Sequence, residues 1–243
     1  CRVCLVEVKG ARGLVAACVY PIEPPRKDRE TGEEVMMEVR TNTPALRKAR
    51  KMTLELILST HDKKCLSCVR SGNCELQKLV NDYGLDEGRF EGESLEFEKE
   101  VSSAHMVRDN NKCILCRRCV AACKLNQEVA VISAAGRGFN TRITCAFDKQ
   151  LADVPCVSCG QCIVVCPTGA LYEKDQTEDV WAALADPNKH VVVGTAPSVR
   201  ATLGECFGDP VGTNVQGKMV TALRNLGFDG VFDVDTSADI TIL

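Results

Sequence analysis

Apolar and polar residues alternate through "CLVEVKG" at 4–10 and "VMMEVRT" at 35–41. A period of two predicts short strands with one covered face. The intervening "PIEPPRKDRETGEE" is polar and proline-bearing, so residues 1–40 read as a small β-rich unit around a loop. At 43 the pattern changes. Thr43 can cap a helix, Pro44 suits its first turn, and Leu46, Ala49, Thr53, Leu56 and Ile57 recur at helical spacing. A shorter helix in "CELQKLVNDYG" is expected to stop at Gly84. The acidic, glycine-bearing stretch at 85–105 reads as a connection over the surface. From 190 an apolar strand "HVVVGTA", helices in "PSVRATLGECF" and "QGKMVTALRNLGF", and a strand "GVFDVD" follow one another. That order predicts the opening of an α/β domain with a parallel sheet. The chain as a whole is expected to be α+β and multi-domain, with units at 1–40, 41–84, 106–175 and 176–243.

Composition sharpens this in one respect. With 243 residues and a net charge of -3, the chain has no basic stripe of the kind that binds nucleic acid. No apolar run approaches the ~18 residues of a membrane span, and no secretory leader is visible, so a soluble chain is expected. Cysteine is the outlier, at 16 residues. Disulfides favour small exported chains, and pairs separated by two residues suit a metal or a cluster better.

Cys113, Cys116 and Cys119 are followed by Cys123, and Cys156, Cys159 and Cys162 by Cys166 and Pro167. This is the C-x2-C-x2-C-x3-C run of bacterial two-cluster ferredoxins, in which the fourth cysteine ligates the other cluster. Three corners of an iron–sulfur cube lie close together, and only a short loop reaches all three. Cys113, Cys116, Cys119 and Cys166 are therefore expected to hold one [4Fe-4S] cluster, and Cys156, Cys159, Cys162 and Cys123 a second. Zinc is the competing reading, since C-x2-C pairs also make tetrahedral sites. Cys145 and Cys206 fall outside every set and read as small packing residues.

Upstream stands "HDKKCLSCVRSGNC", with His61, Cys65, Cys68 and Cys74. It resembles the His/Cys3 four-iron site of the large iron–sulfur subunits of NADH dehydrogenases and of [FeFe]-hydrogenases. A neutral imidazole in place of a thiolate removes one negative charge, which on charge alone favours the reduced cluster. At the start, Cys1, Cys4 and Cys18 follow a C-x2-C-x13-C pattern. In the same families a further cysteine lies upstream and the set binds a [2Fe-2S] cluster in a β-grasp fold. The residues present supply fifteen of the sixteen ligands that these four clusters need. The chain reads as cut at both ends.

"HVVVGTAPSVRATLGECFG" and "GKMVTALRNLGFDGVFDVDTSADITI" resemble the start of the catalytic domain of [FeFe]-hydrogenases. The resemblance implies that Ala196, Pro197 and Ser198 lie against the two-iron site of an H-cluster. Gly194 stands where many relatives carry a more polar residue. It further implies an iron hydrogenase parent, interconverting protons and H2. Its partner is expected to be ferredoxin or an NAD(P)H-oxidising flavin subunit in a hetero-oligomer. The family's H-cluster cysteines are absent from these residues, so the chain alone is expected to carry electrons without making H2. An NADH or formate dehydrogenase electron-transfer subunit, or a zinc-binding module, remain the other readings. Reduced thiols favour the cytoplasm of an anaerobe.

Overall fold

In the computed structural model, which describes residues 1–28, 30–85, 89–90 and 92–242, the first alternation becomes strand β1 (Leu5–Val8), burying Val6 and Val8. The strands β2 (Val15–Ala16), β3 (Arg26–Lys27), β4 (Glu34–Val35) and β5 (Val39–Arg40) follow it. β2 and β5 pair antiparallel on either side of β1, while β3 and β4 form a hairpin of their own. The strand expected at 35–41 is thus broken in the middle. Met36 stays 69% exposed with no covering layer, and Glu38 turns out to pair with Lys9 and Arg40.

Helix α1 (Pro44–Thr60) begins as its sequence implies. Thr43 Oγ1 accepts the Leu46 N–H at 3.2 Å and donates to Glu7 Oε1 at 2.6 Å, which ties the cap to β1. Its covered stripe differs from the expected one. Leu46, Leu54 and Leu58 are buried, while Leu56 is 51% exposed. The reason lies in what the helix packs on. Its start meets β1, and Leu54 and Leu58 pack with Leu76 and Leu85 from α2 (Glu75–Asp82) and the turn after it. Each such leucine contributes roughly 1.5–3 kcal/mol.

Next come β6 (Met106–Arg108), α3 (Arg118–Ala121), β7 (Ile132–Ala135), β8 (Arg142–Cys145), α4 (Gln161–Val164) and β9 (Leu171–Glu173). β6 pairs antiparallel with β9, and β7 with β8. Pairing the first strand with the last folds the two cysteine repeats over one core, made of Met106, Cys119, Ile132, Ile143, Cys145, Leu151, Ile163 and Leu171. Of the connection expected at 85–105, residues 86–88 and 91 lie outside the described residues. The rest is clamped by Asn111, which accepts the Phe97 N–H at 2.9 Å and donates to the Phe97 carbonyl at 2.7 Å.

Residues 1–174 form one compact unit and 175–243 another. The second unit contains α5 (Thr177–Leu184), β10 (Val192–Thr195), α6 (Pro197–Thr202), α7 (Gln216–Leu226), β11 (Gly230–Asp233) and α8 (Val234–Ile242). β10 and β11 are parallel, registered from Val192 opposite Gly230 to Thr195 opposite Asp233, as the strand–helix–strand pattern implied. The second strand is shorter than expected. Asp233 Oδ1 accepts the Asp235 N–H at 3.1 Å and turns the chain into α8. Arg200 of α6 donates to Asp233 at 2.5 Å and to Asp235 at 3.1 Å, pinning the crossover to the strand end. Among the described residues no helix is long and apolar enough to cross a membrane.

Candidate metal centres

The two cysteine repeats wind alike through their loops. Leu115 and Arg117 take left-handed φ values of 53° and 62°, and the matching Ser158 and Gly160 take 55° and 71°. Alternating the hand of the backbone curls each loop inward and turns its N–H groups toward a concavity, an arrangement that suits an anion. Leu115 N–H already points at Cys113 Sγ, 3.4 Å away. Gly160 adopts this conformation freely, whereas Arg117 bears a cost of about 1–2 kcal/mol. After each curl a short helix starts, α3 with Cys119 and α4 with Cys162, and carries the fourth cysteine out of its own loop.

The fourth cysteines cross over. Cys113, Cys116 and Cys119 share one hollow with Cys166, while Cys156, Cys159 and Cys162 share another with Cys123. The hollows are of similar size, about 380 and 450 Å³ to their open mouths. Electrostatics groups the thiols in the same way. Burial pushes Cys119 up to about 12, with added repulsion from Cys113, Cys116 and Cys166. Burial likewise pushes Cys162 up to about 11, with repulsion from Cys156, Cys159 and Cys123. Such thiols stay protonated until a cation replaces the proton. Among the described residues no three His, Cys, Asp or Glu side chains converge tightly enough for a single metal ion. The cysteine sets stand around hollows instead, and a hollow ringed by four thiols fits a cube ligated at its corners.

The third site is built from helix ends. His61 caps the C-terminus of α1, Cys65 opens a tight turn whose Cys68 N–H returns to the Cys65 carbonyl at 3.2 Å, and Cys74 precedes α2. All four line one hollow of about 820 Å³. Burial, then the Lys112 ammonium, holds the His61 pKa below the ordinary imidazole range, so the ring is neutral at pH 7. Its Nδ1 is buried without a hydrogen-bond partner, as a nitrogen kept for a metal would be.

This site is bolted to the first hollow of the twin repeat. The Pro167 carbonyl accepts the Glu75 N–H at 3.1 Å, Arg70 donates to the Ile163 and Cys166 carbonyls, and Arg118 grips Glu75 at 2.6 and 2.8 Å. Gly169 allows the approach, since a Cβ there would stand 2.7 Å from Cys68 Sγ. Gly169 was not among the residues read from the sequence, although "CPTG" puts it three residues beyond Cys166.

At the start of the chain, the β1–β2 register sets Cys4 beside Cys18, with 3.4 Å between the sulfurs. Burial raises the Cys4 pKa, but hydrogen bonds from Cys18 outweigh it and the net shift is downward. Cys1 is exposed ahead of β1. Ala196 caps α6 directly after β10 and Pro197 opens the helix, giving the expected turn; all three of Ala196, Pro197 and Ser198 are exposed. Cys145 is a core residue, 1% exposed, and its sulfur accepts from Arg108 at 3.7 Å. Cys206 corrects its expectation: it is exposed, because the tight turn after α6 faces outward.

Three family models match the chain. They are the NADH-ubiquinone oxidoreductase-G iron-sulfur binding region at 50–89, a 4Fe-4S dicluster domain at 112–170, and the C-terminal domain of the iron only hydrogenase large subunit at 189–243. The whole chain is 46% identical to the NADP-reducing hydrogenase subunit HndD of Solidesulfovibrio fructosivorans, of which it covers 40%. It is 40% identical to iron hydrogenase 1 of Clostridium pasteurianum, again over all of this chain and 40% of the relative. A solved NAD+-reducing [NiFe]-hydrogenase in the H2-reduced state aligns with a TM-score of 0.60 and 27% identity, over 71% of this chain and 68% of that one. The chain thus spans about 40% of the length of the curated relatives it matches.

Proposed function

The chain belongs to the large subunits of the iron only hydrogenases, and on that premise we propose that it is the electron-relay portion of such an enzyme. The observation that carries this reading is the sorting of the cysteines. Each four-residue set expected from the sequence lines its own hollow, with Cys166 and Cys123 crossed between the two repeats. The reading assigns [4Fe-4S] clusters to Cys113/Cys116/Cys119/Cys166, to Cys123/Cys156/Cys159/Cys162 and to His61/Cys65/Cys68/Cys74. It assigns a [2Fe-2S] cluster to Cys1, Cys4 and Cys18 with one further ligand, in a β-grasp unit. When bound, these groups take up and release one electron at a time.

The protein's own part is to fix, shield and charge these sites. The curled loops bring the thiols of each set to one hollow, and the core of Met106, Ile132 and Leu171 packs against the buried cysteines. The Cys166–Gly169 turn serves two sites at once, giving Cys166 to the first hollow and Gly169 to the wall of the His61 hollow. It is therefore the bridge between those two stations. Ala196, Pro197 and Ser198 are proposed to face the two-iron part of an H-cluster whose cysteines the wider protein supplies.

A parent that interconverts protons and H2 follows from the family. Two relatives are named as NADP-reducing and NAD+-reducing hydrogenases, which supports a hetero-oligomer with an NAD(P)-linked subunit; ferredoxin is proposed as the alternative carrier. Reduced thiols favour the cytoplasm. NADH and formate dehydrogenases are the runner-up, and the hydrogenase match at 189–243 weighs against them.

The test is a split in donors. In the complete enzyme, Cys119→Ser should abolish H2 evolution driven by the NAD(P)-linked partner. It should leave much of the evolution driven by a small reduced dye able to reach the active site directly. Full retention of partner-driven evolution would sink the relay reading.

A further inference from the structure

The second hollow contains a histidine that its ligand set does not require. His105 lies in the wall formed with Cys123, Cys156, Cys159 and Cys162. It is fixed from one side. Its Nδ1 is 2.8 Å from Ser103 Oγ, and the same oxygen accepts the His105 backbone N–H at 3.3 Å. Ser103 is itself 4% exposed, and its carbonyl accepts from Lys174 Nζ at 3.3 Å. The other ring nitrogen, Nε2, is shut off from solvent and has no hydrogen-bond partner. A buried polar atom in that condition calls for an occupant of the adjoining hollow.

Ser103 Oγ can accept the backbone N–H and give its own proton to Nδ1. In that arrangement the imidazole proton resides on Nε2, the tautomer the inference takes. Cluster sulfides and cysteine thiolates are acceptors without protons, so Nε2–H complements them. We infer that His105 Nε2–H donates a hydrogen bond to a sulfur of the iron–sulfur cluster in the second hollow and raises that cluster's reduction potential. A donor at sulfur stabilises the charge added on reduction, and hydrogen bonds to the sulfurs are among the levers that set these potentials. The first hollow has no histidine in its wall; Arg108 and Arg117 stand there instead.

The inference rests on the relay reading, because it needs a cluster in that hollow. The test uses the full-length protein, reconstituted anaerobically, in redox titrations followed by electron paramagnetic resonance. The signal of the second hollow is identified by its loss in Cys159→Ser. His105→Phe should keep that signal and move its midpoint to lower potential, with the Cys113 set unmoved. His105→Gln, whose amide still donates, should recover most of the shift. An unchanged midpoint in His105→Phe overturns the inference alone, as does an equal fall in both variants or loss of the cluster in both. Should no signal vanish in Cys159→Ser, the inference and the relay reading fall together.

Discussion

The two hollows of the twin repeat share a ring of four cysteines and a loop conformation, and differ in their walls. Left-handed residues occupy matching places, Leu115 and Arg117 in one and Ser158 and Gly160 in the other. The first wall carries Arg108 and Arg117 and is clasped by the His61 unit through Glu75 and Arg70. The second has no lysine or arginine among its lining residues and contains His105, Gln127 and Gln161. Spacing decides where a cluster sits. The wall decides how readily it takes an electron, so two copies of one motif need not be two copies of one potential.

The strongest way to break this comparison is to remove a crossed ligand. Cys166→Ser lies in the second motif, yet it should strip or degrade the cluster of the first hollow, lowering iron by up to about four atoms per chain. Loss of the second hollow's signal instead would refute the crossing. Gly169→Ala comes next. Its Cβ would press on Cys68 Sγ at 2.7 Å, so the His61-ligated signal should broaden or disappear while the second hollow's is retained.

Arg108→Met sharpens the comparison of the walls. Arg108 is 5% exposed, held by Cys145 and Glu100. Losing its charge should lower the first cluster's potential by the equivalent of on the order of 1–3 kcal/mol at an effective dielectric near 20. Glu100, 4.0 Å away, will trim the effect. A titration in which only the first midpoint moves is the expected result.

The cluster-free chain offers a pH test. Burial raises Cys113 to about 11, Cys119 to about 12 and Cys162 to about 11, from an ordinary 9.0. A raised folded pKa gives stability that is present below 9 and is lost as pH climbs through the folded values. Thermal melts of the apo-protein should therefore fall between about pH 9 and 12, and cluster loading should weaken as pH drops, because the thiols must give up protons. Smallest of all is the exposed Arg118–Glu75 pair: Glu75→Gln should cost about 0.2–1 kcal/mol in denaturant unfolding and leave every cluster bound.

The cysteine sites were unusually legible because a cube fixes ligand spacing within a few residues, and spacing is what a sequence displays. The crossing of Cys123 and Cys166 into each other's hollow was likewise expected from the two-cluster ferredoxin motif. The walls could not. Arg108 reaches the first hollow only because β6 pairs with β9, and Gly169 matters only because Cys68 arrives from a hundred residues upstream. Long-range packing also turned α1, so that Leu54 and Leu58 took the place expected of Leu56. Helices α5 and α8 went unread. No element was expected at 177–184, where α5 forms, and Asp233 caps a helix inside what looked like a strand.

The account stands on iron–sulfur cubes in three hollows. Its most direct measurement is the iron and acid-labile sulfide content of the anaerobically purified protein, read with its low-temperature spectra before and after reduction. At least about twelve irons per chain with matching sulfide, and signals that depend singly on Cys119, Cys162 and His61, are predicted. Zinc in their place, or thiols that take up neither iron nor sulfide on reconstitution, would contradict it.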